Sequence, residues 1–259
     1  MAVLKFGGAS VSKPENFARI ADIIIGRRKL YSKIVVVVSA MGDTTDDLVN
    51  LARQVHPNPP KRELDMLISV GERISIALLA MALSLKGVEA ISLTGSQSGI
   101  LTTAEHSDAR IVSVKPTRIL KHLEEGKIVI VAGFQGMSTL GEITTLGRGG
   151  SDTSAVALGV ALRATKVEFF KDVYGMYAED PKKNVNSPFF SFLEYEEALE
   201  IVKKGAEILH IRALELAAKN HLPLHILSFN QKFEENATTE EKGTLIFSPS
   251  DCENQPVYE

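Results

Sequence analysis

Two rhythms of apolar residues alternate along this chain. Short runs of consecutive apolar, often β-branched residues are followed by stretches in which apolar positions recur every three or four residues. Residues 2–6 read as a strand. Ser12-Lys13-Pro14-Glu15 then has the spacing of a capping box, with Pro14 in the first turn, where its missing N–H does little harm. Phe17, Ile20, Ala21, Ile24 and Ile25 follow at helical spacing. Residues 33–39, KIVVVVS, form a run that suits a strand covered on both faces, as in a parallel sheet. The loop AMGDTTD leads to a helix carrying Leu48, Leu51, Ala52 and Val55, which HPNPP (56–60) ends.

Two more helices follow, the second being GERISIALLAMALSLKG. Next come a strand at 89–93, a polar loop TGSQSGILTT, a helix around 116–125 and a buried strand KIVIVAG at 127–133. Residues 134–146, with Gly136 and Gly141, read as a hairpin. An apolar helix begins near Ser154, followed by a strand at 166–170, helices near 194–204 and 206–219, and strands at 224–228 and 244–247. Strands alternating with helices predict an α/β fold around a mainly parallel sheet. No internal repeat or low-complexity tract interrupts the pattern. The softest boundary falls near 143–150, between an N-terminal and a C-terminal half.

Composition narrows the picture. The chain has 259 residues, 44% of them hydrophobic and 24% charged, with a formal net charge of −3. Such a balance gives no electrostatic reason to bind nucleic acid or an acidic membrane. The densest basic run, Arg27-Arg28-Lys29, closes a predicted helix, where cations oppose the helix dipole. One cysteine, Cys252, excludes an intrachain disulfide and fits a reducing compartment. Lys5 and two glycines follow Met1-Ala2-Val3-Leu4 too closely for a signal-peptide core. The longest apolar segment, 74–85, is 12 residues with two serines, against the roughly 20 needed to span a bilayer. The expectation is a cytoplasmic protein with no membrane partner.

The chemistry lies in the glycine loops. Gly147-Arg148-Gly149-Gly150-Ser151-Asp152 puts three glycines, a cation, a hydroxyl and a carboxylate ahead of an apolar helix. Glycines at a helix start let a backbone come close to a ligand. Gly126-Lys127 is followed by Ile128, so no Walker loop is present. Gly147-x-Gly149-x-x-Asp152 supplies two of the three glycines of a dinucleotide fingerprint, with Asp172 20 residues on. Asp152 stands where that fingerprint needs its third glycine. Gly95-Ser96-Gln97-Ser98-Gly99 has Gln97 at the nucleophile position of a hydrolase elbow. His221 and His225 are separated by Pro223, which breaks the helix a metal pair would need. KFGGASV (5–11) places a cation at a strand end, then two glycines. This reads either as an anion cradle completed by the next helix or as a tight turn.

Seven stretches together resemble the catalytic domain of aspartate kinases, within the amino-acid kinase superfamily. They are KFGGASV (5–11), VVVVSAMGDTTDDL (35–48), GERIS (71–75), TGSQSG (94–99), VAGFQG (131–136), TTLGRGGSDTSAVAL (144–158) and KDVYGMYAEDPK (171–182). They keep the family's order and span nearly the whole chain. The resemblance implies one domain over 1–259. Its open, mostly parallel sheet of about eight strands would lie between helices, with an amino-acid lobe at about 1–145 and a nucleotide lobe at about 146–259. It implies transfer of the γ-phosphoryl of ATP to the side-chain carboxylate of L-aspartate, the first step toward lysine, methionine and threonine. Mg²⁺ would bridge phosphate oxygens, with few direct protein ligands and no dedicated metal residues. Lys5 would stabilise the transferring phosphoryl and Asp152 would hold Lys5. Thr45, Glu72, Arg148 and Ser151 would bind aspartate, Arg148 through a bidentate fork to the α-carboxylate and Glu72 through the α-ammonium. The nucleotide would meet Lys5, Phe6, Gly7, Gly8, Ser39, Lys171, Asp172, Tyr177 and Lys182. A plainer reading makes Asp152 a helix cap and Glu72-Arg73 surface charge.

Departures from the family pattern bear on turnover. Lys171, Tyr174 and Lys182 stand where Ser or Thr, Asp and Arg are common, and Ala9 where a hydroxyl is usual. Glu207 occupies the position that the resemblance gives to a phosphate-facing lysine, which leaves three readings: Lys203, Lys171 or Lys182 replaces the missing cation, Glu207 holds Mg²⁺ more directly, or catalysis is impaired. The alternatives are a sister kinase with another acceptor and a binding or regulatory subunit with weakened catalysis. The family's paired small-molecule-sensing ACT domains would follow the catalytic domain, and the residues after GTLIF (243–247) are too few for one. The chain alone is therefore expected to be insensitive to lysine and threonine, to form a homo-oligomer, and to gain sensitivity only from a separate regulatory chain.

Overall fold

The computed structural model describes residues 1–179, 184, 186–206, 208–230, 243–248 and 256–259. The first half supplies β1 (Ala2–Phe6), α1 (Pro14–Arg27), β2 (Ile34–Val38), α2 (Thr44–Val55), α3 (Lys61–Ile68), α4 (Val70–Leu85) and β3 (Ala90–Leu93). It continues through β4 (Ile100–Thr102), β5 (Ile111–Val114), α5 (Thr117–Glu124), β6 (Ile128–Ala132), β7 (Gln135–Ser138) and β8 (Ile143–Thr145). The second half supplies α6 (Gly150–Ala161), β9 (Val167–Lys171), β10 (Met176–Tyr177), β11 (Phe189–Phe190), β12 (Phe192–Leu193), α7 (Tyr195–Lys203), α8 (Ile211–Lys219), β13 (Leu224–Ser228) and β14 (Gly243–Ile246).

Eight strands form one sheet in the order β12-β14-β13-β9-β1-β2-β6-β3. Every junction is parallel except β13–β14. The expected open, mostly parallel sheet between helices is therefore present. A second sheet, β5-β4-β7-β8, comes wholly from the first half.

The strands' two-residue period divides the core. Ala2, Leu4, Phe6, Val36 and Val38 pack with α1 and α4 on one face. Val3, Val35, Val37, Val167 and Phe169 pack with α5, α6 and α8 on the other. Both faces are covered, which explains why β1, β2 and β6 read as unbroken apolar runs. Lys5 shares the parity of Val3, so it rises from the α6 face at the carboxyl end of the sheet. By the same parity Lys171 and Ser39 belong to that face.

Several local expectations change. The Ser12–Glu15 capping box does not form. Lys13 is the extended N-cap residue, and the Ser12 hydroxyl donates instead to the Ala9 carbonyl at 2.9 Å. The cause is Pro14, which disfavours a helical backbone at the residue before it. The polar loop 94–103 contains β4, and β5 lies in a stretch that carried no strand expectation. α6 starts at Gly150 rather than near Ser154. α8 starts at Ile211 rather than near 206, because Gly205 turns the chain at φ +105°. α2 forms but buries none of its residues, leaving Leu51 and Val55 exposed.

Residues Lys61–Leu85, spanning α3 and α4, are by length and composition enough to cross a membrane, a longer stretch than the apolar count of 74–85 gives. Here α4 packs on α1, β2, β3 and β6, and it carries the buried Glu72.

Candidate active site

β1 is the middle strand at which the two halves of the main sheet meet, pairing with β2 on one side and β9 on the other. A crevice at the carboxyl ends of such strands is where open α/β sheets place ligands. Lys5 is the penultimate residue of β1 and is 3% exposed. Its ammonium lies 2.6 Å from Asp152 Oδ1. Lys171, at the end of the neighbouring β9, reaches Asp152 Oδ2 at 3.3 Å. Two ammonium groups thus converge on one carboxylate at the carboxyl end of the sheet's central strands.

α6 holds Asp152 there. Its N-cap, Gly149, has φ +69°, and Gly147 has φ +71°. The left-handed turn delivers the chain into a helix whose first turn carries Asp152, where a carboxylate complements the helix dipole. Gly133 makes room beneath it. A Cβ at Gly133 would lie 2.7 Å from Ser151 Cβ. The close approach lets Ser151 Oγ sit 2.8 Å from Ser39 Oγ. His210 packs against Gly149 from the other side, at a position no residue with a Cβ could share.

Burial resists ionisation of Asp152, but Lys171 and Lys5 outweigh it and hold the carboxyl below the usual carboxylate range. Burial lowers the Lys5 ammonium to about 8, opposed by Asp152 and reinforced by Lys171. Glu72, in the first turn of α4, is 3% exposed. One of its oxygens accepts the Ala40 N–H at 3.2 Å, and Oε2 has no hydrogen-bond partner. Burial raises the Glu72 carboxyl to about 7, against the pull of its own N–H, the Ala40 N–H and Lys5. Glu72, Ala40, Ser39, Ser151, Asp152, Lys5 and Lys171 therefore make a continuous chain of contacts and neighbours.

The other expected residues are placed differently. Gly7 borders the Lys5 ammonium, 3.4 Å from where its Cβ would be. α1 does not complete an anion cradle after Gly7-Gly8. The chain makes a turn in which Ser10 and Val11 N–H groups donate to Gly7 O, and the helix begins only at Pro14. Among the described residues, the N–H groups of Gly8 and Ala9 make no hydrogen bond. The Phe6 ring is fully buried on the opposite face, stacked on Phe170 at 4.6 Å. Its carbonyl accepts the Ser39 N–H. Arg148 is exposed between the two left-handed glycines and makes no ion pair or hydrogen bond among the described residues. Thr45 is half-buried in the first turn of α2. Asp172 is exposed just past β9, and Tyr177 packs edge-on against Phe189. Lys182, Glu207 and Cys252 lie outside the described residues.

Sequence reasoning missed Ala40, Gly133, Phe134 and His210. Phe134 takes φ +67°, a conformation rare for a bulky residue, and its N–H donates to Ser154 Oγ at 3.1 Å. Only the Gly133-Phe134 pair, ending an apolar run, could have signalled such a backbone.

Residues 1–228 match the amino acid kinase family. The chain is 49% identical to an aspartokinase of Geobacillus stearothermophilus over 244 residues, covering 94% of this chain and 58% of that protein. An aspartate kinase from Synechocystis has the same fold with a TM-score of 0.85 and 41% identity, over all of this chain and 41% of that one. Escherichia coli aspartokinase III in complex with aspartate and ADP gives a TM-score of 0.84 at 26% identity, over 97% of this chain and 65% of that one.

Proposed function

The chain belongs to the amino acid kinase family, and on that premise we propose that it moves the γ-phosphoryl of ATP to the side-chain carboxylate of L-aspartate, giving 4-phospho-L-aspartate and ADP. The observation that carries the reading is the pair of lysines, buried Lys5 and partly buried Lys171, on the buried Asp152, beside a second buried carboxylate with an unpartnered oxygen. Resemblance to proteins named aspartokinase supports the choice of acceptor.

A side-chain carboxylate with an ordinary pKa near 4 is ionised at neutral pH, so the acceptor needs no general base. An aspartate oxygen attacks the γ-phosphorus while the bond to the β,γ-bridging oxygen breaks and ADP leaves with that electron pair. What remains for the protein is alignment and charge neutralisation. Lys5 sits on the transferring group, kept in place by Asp152, and the unbonded Gly8 and Ala9 N–H groups face phosphate oxygens. Glu72 Oε2 takes the α-ammonium, whose arrival favours the ionised carboxylate. Arg148 takes the α-carboxylate, Thr45 and Ser151 supply neutral hydrogen bonds to aspartate, and Ser39 serves the nucleotide. Asp172, Tyr177 and Lys182 belong to the nucleotide.

Mg²⁺ would accompany ATP as part of the substrate and would neutralise charge on the phosphates. Among the described residues, no group of three or more His, Cys, Asp or Glu side chains is placed to hold a metal ion. The cytoplasm, a homo-oligomer and a separate regulatory chain belong to the same proposal.

The test is coupled ADP release with aspartate, glutamate and UMP as alternative acceptors, with the acyl phosphate trapped by hydroxylamine. Release with aspartate and formation of its hydroxamate are expected. Release only with another acceptor makes the chain a sister kinase. No release with any, despite ATP binding, makes it a binding subunit.

A further inference from the structure

The loop carrying Arg148 is a turn closed by the Gly150 N–H on Gly147 O at 3.0 Å, and the left-handed glycines that flank Arg148 bring no side chain to hold it. Two anchors lie outside it. Leu146, next to Gly147, donates its N–H to Phe134 O at 2.9 Å. The Leu146 carbonyl accepts from Arg212 Nη1 at 2.6 Å.

Arg212 is in the first turn of α8 and its side chain is 11% exposed. It uses its whole planar fork. Nε donates to Glu259 Oε1 at 2.6 Å and Nη2 to Glu259 Oε2 at 2.8 Å. Nη2 also reaches Ala109 O at 3.0 Å, and Nη1 reaches Asp108 Oδ1 at 3.4 Å. Glu259 is fixed in turn. Its N–H donates to Ile111 O at 3.0 Å, and its Oε2 accepts the Ile111 N–H at 3.0 Å. Two residues earlier, the Asn220 amide clasps Val257 through both N–H and C=O at 2.8 Å. The segment 257–259 thus lies against β5 and α8 and ends in a bidentate grip on Arg212. Bidentate Arg–carboxylate pairs are geometrically selective as well as strong.

We propose that Arg212, held by Glu259, is a positioning residue for Arg148, and that segment 256–259 is a lever on the amino-acid-binding loop. The inference rests on the reading that Arg148 binds the substrate α-carboxylate. Releasing Glu259 frees Arg212 from its fork, and Leu146 O then loses its fixed donor. The loop gains freedom and the cleft loses a preformed carboxylate site. The phosphoryl end, anchored on β1 and β9, is untouched.

The experiment uses Glu259→Gln, a mild change at a 10% exposed side chain, and Arg212→Lys, which keeps the charge and loses the fork. Two readouts are taken on the full chain. Trypsin cleavage after the exposed Arg148 needs no activity. In both variants it should quicken at least fivefold, with an unchanged melting temperature in Glu259→Gln. Steady-state kinetics should show KM for aspartate raised three- to tenfold in Glu259→Gln, with kcat and KM for ATP within twofold. In an Arg148→Ala background Glu259→Gln should raise KM for aspartate no further. Unchanged cleavage at Arg148 overturns the lever, whatever the activity. An equal KM effect with and without Arg148 overturns action through Arg148. Faster cleavage with unchanged KM for aspartate leaves the loop coupling intact and removes Arg148 from the substrate site.

Discussion

Lowering the pH tests Glu72 directly. The proposed partner of the substrate ammonium must be ionised, and burial raises this carboxyl to about 7. Such a group is ionised to roughly nine-tenths at about pH 8 and roughly one-tenth at about pH 6. With ATP saturating, and with Lys5 half-deprotonated at the upper end, kcat/KM for aspartate should therefore fall roughly fivefold between those values. Glu72→Gln keeps the shape and removes the charge. At about pH 8 it should lower kcat/KM roughly 10- to 150-fold, the worth of a charge-assisted hydrogen bond of about 1.5–3 kcal/mol. At about pH 6 the wild-type carboxyl is itself mostly neutral, so the gap should shrink roughly tenfold. Lys5, lowered to about 8, loses its proton at the upper end in both proteins, and the ratio cancels that loss. The assay is coupled ADP release across this range on both proteins. An acid limb shared equally by the glutamine variant comes from the substrates. A gap that does not change with pH refutes the role of Glu72.

Arg148→Lys should raise KM for aspartate roughly 10- to 150-fold without altering the melting temperature, since the fork is lost and the charge kept; an unchanged KM would remove Arg148 from the site. Lys5→Ala should cut turnover by orders of magnitude while circular dichroism stays native, because Asp152 keeps Lys171 as a partner; near-normal turnover would contradict its place on the phosphoryl group. Gly133→Ala inserts a carbon 2.7 Å from Ser151 Cβ and should displace the start of α6, costing about 1–3 kcal/mol and at least tenfold in turnover; both are read by urea denaturation and initial rates, and a silent substitution would show the contact to be slack. Glu168→Gln should destabilise the fold by about 3 kcal/mol with little effect on catalysis, because the fully buried Glu168 pairs with Arg27 at 2.8 Å beneath the sheet. A loss below about 1 kcal/mol would make that pair dispensable.

Much of this was legible because the parallel sheet writes itself plainly. KIVVVVS and KIVIVAG cannot be read as amphipathic, and both become central strands covered on two faces. The short strands were hidden. β4 has three residues, follows Gly99 at φ +83°, and takes its stability from β5 and β7 rather than from its own pattern. The capping-box spacing misled because Pro14 moved the N-cap by one residue, a steric effect that outweighs the match in residue types. At the site, the family resemblance pointed to Lys5 held by Asp152 and to Glu72 on the substrate ammonium. That Lys171 joins Lys5 on the same carboxylate follows from strand parity and adjacency, and the adjacency of β9 to β1 is a tertiary fact.

The position of β1 sets where this molecule can be soft. It is held in register with β2 over five residues and with β9 over four. Prying the two halves apart at Lys5 would break one of those ladders whole, in the best-buried part of the protein. The cleft therefore has a stiff floor, and any opening or closing must be carried by its rim: the turn at 7–13, the segment 39–43 and the glycine-flanked stretch at 147–149. Substrates of different length can be accommodated by moving that rim while the two lysines and Asp152 keep their spacing. Variation that changes the acceptor should accumulate in those walls, and variation in the floor should appear first as lost stability.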